Sequence, residues 1–522
     1  MSSASVQTSN TQTIARNSVW FGIELFFSLF AAFLASVFVA RVIGPQRLGY
    51  FQYLVWITNI TAAVGSMGLP MTTRKYMAEY LNRGEPSVAK AVYRNGLLLQ
   101  TLIASGVTVV GLGLVFFIGD PAQRPVAVLL VAAMAPRMIG LISSQANNAA
   151  ELMKRSTAPA LTGGVVTIGL TLFSLWIGWD LLGVASSMLL GAAIETVLKL
   201  SDVHRRLSPV GACPLPPELK KRMLSYSGQG VVLMLLSALV WDRSDVLILK
   251  SLNPDIQQVT FFSLAFNLSE RVLMIPNAFL TSLGVTMMAQ LGRDSDRLRD
   301  MLVSGTKYSF LIAFPLLVGM ACLSRPMVLL FYGHRYEPLI IVLTICALLA
   351  IPKALASPPS ALLQATENQG FLIWVGCICG ALDVLLDVLL TPRYGARGAA
   401  LANGFAQTGA AVALWVRVYR HYRLNLRLGE FGRVVVSGGA TAAVAILVPR
   451  WFPTYAGMAS GFCIAVVTWF LSLRLTGAVN SEDAARMLNM AKVLPGSLRP
   501  LFTRLVGWLS GGEISVAPSP SA

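Results

Sequence analysis

Long apolar segments constrain this chain more than any other feature of its sequence. A helix needs about 20 apolar residues to cross the hydrocarbon of a membrane, and windows of that length predict fourteen spans. Three of them are short or contain charges, so the predicted count is twelve to fourteen. The predicted spans are 18–40, 50–72, 95–118, 126–148, 157–178, 181–203, 226–249, 259–283, 306–323, 338–362, 370–390, 398–417, 434–449 and 456–474.

Composition agrees with a membrane protein. Charged residues make up 12% of the 522 residues, whereas about 25% is typical of a water-soluble protein. Mean hydropathy is +0.66. These values exclude an ordinary soluble enzyme and predict an all-α integral membrane fold. No nucleic-acid partner is expected, because a net charge of +17 is also typical of a membrane protein with basic cytoplasmic loops.

The basic residues predict the orientation of the spans. With a cytoplasmic N-terminus, about 27 Lys and Arg fall in inside segments and about 9 in outside segments. Cytoplasmic loops carry an excess of Lys and Arg, so this threefold bias supports the map. We therefore expect a multi-pass protein of the cytoplasmic (inner) membrane with both termini in the cytoplasm.

Two pairs of similar turns indicate an internal repeat. Arg41-Val-Ile-Gly44-Pro45 follows the first span and Lys250-Ser-Leu-Asn253-Pro254 follows the seventh, at an offset of 209 residues. Gly183 and Gly398 lie in a second pair of turns, 215 residues apart. Two similar offsets predict two six-helix lobes related by an axis along the membrane normal. Lobes of this kind are expected to form a central cleft that opens to either side.

The repeat sets the predicted domain boundaries. The chain divides into an N-terminal cytoplasmic tail, an N-lobe of spans 1–6, a proline-rich cytoplasmic linker, a C-lobe of spans 7–12, a pair of further spans and a cytoplasmic amphipathic tail. In that tail, Ser481 is expected to cap one helix, and a second is expected near 498–509, lying on the inner membrane surface. The domain boundaries are 1–17, 18–204, 205–225, 226–420, 434–474 and 475–522.

Several ionisable residues lie inside predicted spans, where a charge normally faces a cavity or a partner. Four cations are candidates for binding a diphosphate or acidic sugars: Arg137, Arg243, Arg271 and Lys353. Six carboxylates are candidates for lining the cavity or for coupling transport to protons: Glu24, Asp242, Asp245, Glu270, Asp383 and Asp387. The alternative is that each cation pairs with a nearby carboxylate and only locks helices together. Glu195 and Lys199 are expected to form such a structural pair.

Cofactor chemistry has no support in the sequence. No CxxC pair or Cys/His cluster that would bind a metal is present, and no GxxxxGK[ST] phosphate loop occurs. We therefore predict no metal, no cofactor and no ATP hydrolysis by the chain.

An ordered set of motifs resembles a known family. It includes Val39-Ala-Arg41-Val-Ile-Gly44-Pro45-Gln-Arg47-Leu-Gly49-Tyr50, Trp241-Asp-Arg243-Ser-Asp245, Phe331-Tyr-Gly333, and Thr391-Pro-Arg393-Tyr-Gly395-Ala-Arg397-Gly398. The chain thereby resembles the polysaccharide repeat-unit flippases, which serve O-antigen, lipopolysaccharide and exopolysaccharide synthesis, in the multidrug/oligosaccharidyl-lipid/polysaccharide exporter superfamily. It departs from their pattern at Asn253-Pro-Asp255, where a Gly-rich turn and a Tyr are usual.

The resemblance implies two six-helix lobes, often followed by two extra helices, and a substrate that is an oligosaccharide on a polyprenyl diphosphate. It also implies membrane lipid as a partner, together with a polysaccharide polymerase and chain-length or export machinery. We predict a non-enzymatic flippase that works by alternating access. A lipid II flippase and a cation-coupled multidrug exporter are the alternatives. A membrane glycan polymerase or ligase is disfavoured, because the predicted outside loops contain about ten residues or fewer.

Overall fold

The structure is a computed structural model that describes residues 27, 30, 31 and 33–510, apart from 118, 212, 241–243, 291–294, 367, 423–427, 452–454 and 491–498. This part of the chain folds into α-helices joined by short turns, as the apolar segments predict. The first half contains α1 (Phe33–Ile43), α2 (Pro45–Gly65), α3 (Leu69–Asn82), α4 (Pro86–Phe117), α5 (Arg124–Ala132), α6 (Met134–Ala149), α7 (Met153–Trp176), α8 (Asp180–Leu207), α9 (Pro217–Val240) and α10 (Ser244–Leu252).

The second half repeats this pattern. It contains α11 (Gln257–Gln290), α12 (Ser295–Cys322), α13 (Ser324–Phe331), a 3-10 turn (His334–Tyr336), α14 (Leu339–Ala365), α15 (Gln369–Tyr394), α16 (Ala396–Tyr422), α17 (Leu428–Trp451), α18 (Tyr455–Thr476), α19 (Ser481–Met490) and α20 (Arg499–Leu509). The all-α class is confirmed.

Nine helices within the described residues are long and apolar enough to cross a membrane, and the bent pair α2–α3 makes a tenth. These ten coincide with predicted spans. The other four predicted spans overlap helices that lie outside this set: 226–249 with α9 and α10, 259–283 with α11, 456–474 with α18, and the end of 18–40 with α1. Residues 18–26, 28, 29 and 32 of that span lie outside the described residues.

The second span is bent, which the apolar pattern did not predict. α2 and α3 meet at an angle of 42°. At the break, Met67 and Gly68 have φ angles of 49° and 66°, in the left-handed region that ends a helix. Pro70 follows in the first turn of α3, where a missing backbone N–H leaves no helical bond unmade. The hydroxyl of Ser227 on α9 donates to the freed carbonyl of Met67, which holds the break against α9.

Two compact units divide the chain, Met1–Thr260 and Phe261–Ala522. The segment between α8 and α9 is shorter than the predicted linker 205–225, because α8 runs to Leu207 and α9 begins at Pro217. Pro217 is tolerated because a proline in the first turn lacks only an N–H that would have no partner within the helix. The predicted lobe boundary at this linker stays a prediction.

Equivalent helices pack in the same order in the two units. In the first, α6 packs against α4 and α8, and α7 packs against α8; in the second, α14 packs against α12 and α16, and α15 packs against α16. The two predicted glycines close the equivalent hairpins. A Cβ at Gly183 would collide with Ser174 at the end of α7, and one at Gly398 would collide with the backbone of Leu390 in α15. The two pseudo-symmetric halves are therefore confirmed.

The C-terminal tail forms the two expected helices, α19 and α20. The prediction that Ser481 caps α19 is wrong. The carbonyl of Asn480 accepts the first helical bond, from Ala484 at 2.9 Å, and the Asp483 carboxylate accepts from the Asn480 N–H at 3.0 Å. Asn480 is therefore the cap, and Ser481 is the first residue of the helix. The apolar side of α20 packs on the second unit, where Leu509 joins a buried cluster with Trp469.

Candidate interior charge sites

A cation lies near the middle of an apolar span in the first half. Arg137 is the fourteenth residue of the 26-residue apolar segment Arg124–Ala149. Its side chain is half-buried, and its Nη1 donates a 3.1 Å hydrogen bond to the Oδ1 of Asn59 on α2. Asn59 is itself exposed. A guanidinium has five donors, so a single bond to a neutral amide leaves capacity for an anionic ligand.

Helix α8 adds an ion pair beside this cation. Glu195 accepts from Lys199 one turn later, as the spacing predicts, and the Glu195 carboxylate also stabilises the charge of Arg137 electrostatically. Thr196 donates to the Pro136 carbonyl at 2.6 Å, which brings α8 against α6. Lys199 neutralises Glu195, so these two residues and Arg137 together carry one excess positive charge.

The second half has a cation at the equivalent level, but in a different environment. Lys353 is the fifteenth residue of the apolar segment Leu339–Gln364 and forms an ion pair with Glu270 on α11. Its ammonium group lies 5.5 Å from the centre of the Phe266 ring. This pair follows the alternative prediction, in which a cation and a carboxylate lock two helices together.

A small cavity of about 20 Å³ adjoins the pair, and that volume is enough for one water molecule. Besides Glu270 and Lys353, its polar lining includes Asn403 and Gln407 of α16. The Gln407 amide donates to Asn403 at 2.7 Å. The cavity therefore lies between α11, α14 and α16 of the second unit, with these polar groups set in a mainly apolar wall that includes Phe262, Phe266 and Leu349.

Asp383 and Asp387 lie one turn apart on the buried side of α15, with exposed fractions of 2% and 0%. Thr391 donates to Asp387 at 3.4 Å. The neighbouring Leu385 and Leu389 are 56% and 60% exposed, so the helix turns its apolar side outward and its carboxylates inward. The predicted common face for the two aspartates is confirmed. Their role in coupling stays a prediction.

The remaining candidates are distributed differently. Arg271 is half-buried in α11. Asp245 is fully buried in α10. Three others lie outside the described residues: Glu24, Asp242 and Arg243. The structure therefore joins Glu270 to Lys353, whereas Arg137 contacts Asn59, which the sequence reasoning did not select.

The repeat offset could have found these missed residues. Lys353 follows Arg137 by 216 residues, Glu270 follows Asn59 by 211, and Gln407 follows Glu195 by 212. These offsets match the 209 and 215 that revealed the repeat. In each half, three equivalent spans therefore contribute a polar side chain at an equivalent sequence position.

A second missed group is a buried ionic cluster in the second unit. Lys307 of α12 is 4% exposed and donates to Glu430 of α17 at 2.7 Å and to Asp483 of α19 at 2.5 Å. Tyr308 donates to the second oxygen of Asp483 at 3.0 Å. Lys307 lies at the cytoplasmic end of the predicted span 306–323, and no local pattern indicates that a carboxylate 176 residues away packs against it.

Comparisons with known proteins agree with this architecture. The family model described as "Polysaccharide biosynthesis protein" matches residues 38–341, more than half of the chain. No curated protein sequence matches.

Three solved structures show the same fold. The lipid II flippase MurJ in an inward closed conformation has a TM-score of 0.67 at 14% identity, covering 88% of this chain and 98% of its own. An inward-facing multidrug resistance MATE family transporter of the MOP superfamily has a TM-score of 0.64 at 14% identity, with 78% and 98% covered. A MOP superfamily transporter from Pyrococcus furiosus has a TM-score of 0.57 at 14% identity, with 78% and 96% covered. At 14% identity this likeness shows only the fold, which is that of a membrane transporter. Because the family model matches more than half of this chain, the chain belongs to the polysaccharide biosynthesis protein family.

Proposed function

We propose that this protein is a flippase that moves polyprenyl-diphosphate-linked oligosaccharide repeat units across the cytoplasmic membrane by alternating access. It serves the synthesis of an exopolysaccharide or of the O-antigen of lipopolysaccharide. Its N- and C-termini face the cytoplasm. It catalyses no covalent reaction, and its partners are the lipid-linked oligosaccharide, membrane lipid, and the polymerase and export machinery that consume the product.

The environment of Arg137 carries this proposal. A cation exposed to hydrocarbon is unstable, so a half-buried guanidinium at the middle of an apolar span faces water or a ligand. Arg137 donates to a neutral amide and lies beside Glu195, which Lys199 neutralises, so its site has excess positive charge. A diphosphate carries the opposite charge and offers oxygens that a guanidinium binds in bidentate geometry.

Arg243 and Arg271 are further candidates for the same head group. The buried carboxylates Asp383 and Asp387 are candidates for coupling to a proton gradient, because two nearby carboxylates in a low dielectric do not both ionise easily. Glu24, Asp242, Asp245 and Glu270 stay candidates for lining the transport path.

Purified protein in liposomes tests the function. A polyprenyl-diphosphate oligosaccharide with a fluorescent sugar is placed in the inner leaflet, and an impermeant reagent quenches whatever reaches the outer leaflet. We expect a quenching rate well above that of protein-free liposomes. Transport of the same oligosaccharide on a neutral lipid alcohol should be much slower, because that lipid lacks the diphosphate. Equal rates for the two lipids, or none for either, contradict the proposal.

The same liposomes separate the alternatives. A lipid II flippase would move lipid II much faster than an oligosaccharide on the same polyprenyl diphosphate. A multidrug exporter would move a cationic dye instead, but the excess positive charge at Arg137 disfavours a cationic substrate. A polymerase or ligase would lengthen or transfer the glycan, which electrophoresis of the recovered product detects.

A further inference from the structure

Two polar side chains in the first half are fully buried. Thr73 on α3 and Gln100 on α4 are both 0% exposed. Among the described residues, neither the Thr73 hydroxyl nor either end of the Gln100 amide has a hydrogen-bond partner. Buried polar groups in folded proteins almost always have partners, and water is the usual partner when the protein supplies none. The two side chains are therefore candidates for one shared site.

Helix geometry brings these two groups to the same place. A Cβ on Gly96 would lie 2.7 Å from the Thr73 hydroxyl oxygen. The Thr73 hydroxyl therefore packs directly against the backbone of Gly96. Gln100 lies one turn further along α4, and side chains on a helix lean toward its N-terminus. The Gln100 amide therefore extends over Gly96 toward Thr73.

The surroundings isolate this site from bulk solvent. Below it along α4, Val92 and Tyr93 belong to an apolar cluster that includes Leu69. Above it, Ala104 belongs to a second cluster that includes Met138. The polar pair thus forms a layer between two apolar cores.

The site also lies level with the break in the second span. Gly65, at the end of α2, faces Val107 of α4, whereas Thr73 of α3 faces Gly96. The break at 66–68 lies between these two contacts, opposite the part of α4 that contains Gln100. The carbonyls of Met67 and Gly68 at the break already accept hydrogen bonds, from Ser227 and from the Thr72 N–H, so a ligand in this region would serve the side chains of Thr73 and Gln100 rather than the backbone.

The chemistry of the pair selects the ligand. An amide offers both donors and acceptors, and a hydroxyl offers one donor and two acceptor positions. A cation would satisfy the oxygens but oppose the amide N–H, and an anion would do the reverse. A water molecule satisfies both. We propose that Thr73 and Gln100 form a binding site for one buried water molecule close to the bend between α2 and α3.

Thermal unfolding of the detergent-solubilised full chain tests this site. Gln100→Met and Thr73→Val keep the shape and remove the polar groups. If water bridges the pair, each change leaves that water poorly bound, and the melting temperature falls by about 2 °C. The double variant should lose less than the sum, because the water and both of its partners are then absent. Gains in melting temperature, or losses that add, overturn the proposal.

A control and a direct measurement complete the test. Thr101→Val alters a half-buried hydroxyl on the same helix that already donates to the Leu97 carbonyl at 2.8 Å, so it should not couple to Thr73→Val. A density map of the unaltered protein at about 2 Å should show a water within hydrogen-bond distance of both side chains. Clear density for the two side chains without a water overturns the proposal even if the variants fail to fold. Neither measurement depends on the transported substrate.

Discussion

The interior cations of the two halves occupy equivalent positions but have opposite electrostatic surroundings. Arg137 donates to the neutral Asn59, whereas Lys353 forms an ion pair with Glu270, the residue equivalent to Asn59. Among the described residues, Arg137 thus contacts a neutral amide at mid-span, whereas the charge of Lys353 is neutralised by a direct ion pair. The repeat keeps a polar contact at the same position, and residue identity decides whether that contact is an ion pair or a hydrogen bond to a neutral amide.

The same contrast extends to the second span of each half. In the first half this span breaks between Gly65 and Leu69, with left-handed angles at Met67 and Gly68. In the second half α11 continues through Pro276 as one helix of 34 residues. The half that contains Arg137 is thus also the half with the bent span.

The largest expected effect is the loss of transport when the charge of Arg137 is removed. Arg137→Ala should lower the flipping rate at least tenfold, because a charge-assisted bidentate contact contributes about 1.5–3 kcal/mol. Arg137→Lys should retain part of the flipping rate, because lysine keeps the positive charge but cannot make the bidentate contact of a guanidinium. Arg94→Ala is the matched control, because Arg94 is an exposed arginine of α4. Normal transport by Arg137→Ala at normal membrane abundance would remove this residue from the proposed site.

The next effect concerns stability in the second half. Asp483→Ala should lower the free energy of unfolding by about 2–4 kcal/mol, because it removes the acceptor of the Tyr308 hydroxyl and of the Asn480 N–H and one of the two carboxylates of Lys307, which keeps Glu430. Glu482→Ala changes the adjacent residue, whose side chain is 61% exposed, and should cost less than about 1 kcal/mol. Denaturant unfolding of the purified variants measures both. Equal losses would show that α19 is not held by the ionic cluster.

These two predictions differ in how far the sequence alone leads to them. Apolar windows located the spans, and the turn at Gly183 and its repeat at Gly398 gave the two halves, because such signals are local or periodic. Arg137 was selected because a charge in a span is conspicuous. Its partner Asn59 is not selected in this way, because a neutral amide inside an apolar span is not conspicuous in the sequence. The cluster around Lys307 depends on the packing of a tail helix against a distant span, which no local pattern encodes.

A smaller loss of stability is expected at the ion pair of the second half. Lys353→Met should lower the free energy of unfolding by about 1–3 kcal/mol, because it leaves Glu270 without its cation. This loss is smaller than the loss expected for a fully buried ion pair, because the side chains of Lys353 and Glu270 are 21% and 36% exposed. Adding Glu270→Gln should restore most of the stability. The melting temperatures of the single and double variants check this. A double variant that is no more stable than Lys353→Met would argue against a locking pair.

The smallest expected effect comes from making the first half resemble the second. Asn59→Asp places a carboxylate 3.1 Å or less from Arg137, as Glu270 is placed beside Lys353. The new pair should raise the melting temperature slightly, because a half-exposed ion pair contributes up to about 1 kcal/mol. It should also slow flipping several-fold, because the diphosphate must then displace a like charge. Asn59→Ala separates the two causes: it removes the amide without adding charge, so transport should persist. If Asn59→Asp transports as fast as the unaltered protein, the neutrality of residue 59 is irrelevant, and the difference between the two halves is one of packing rather than of ligand binding.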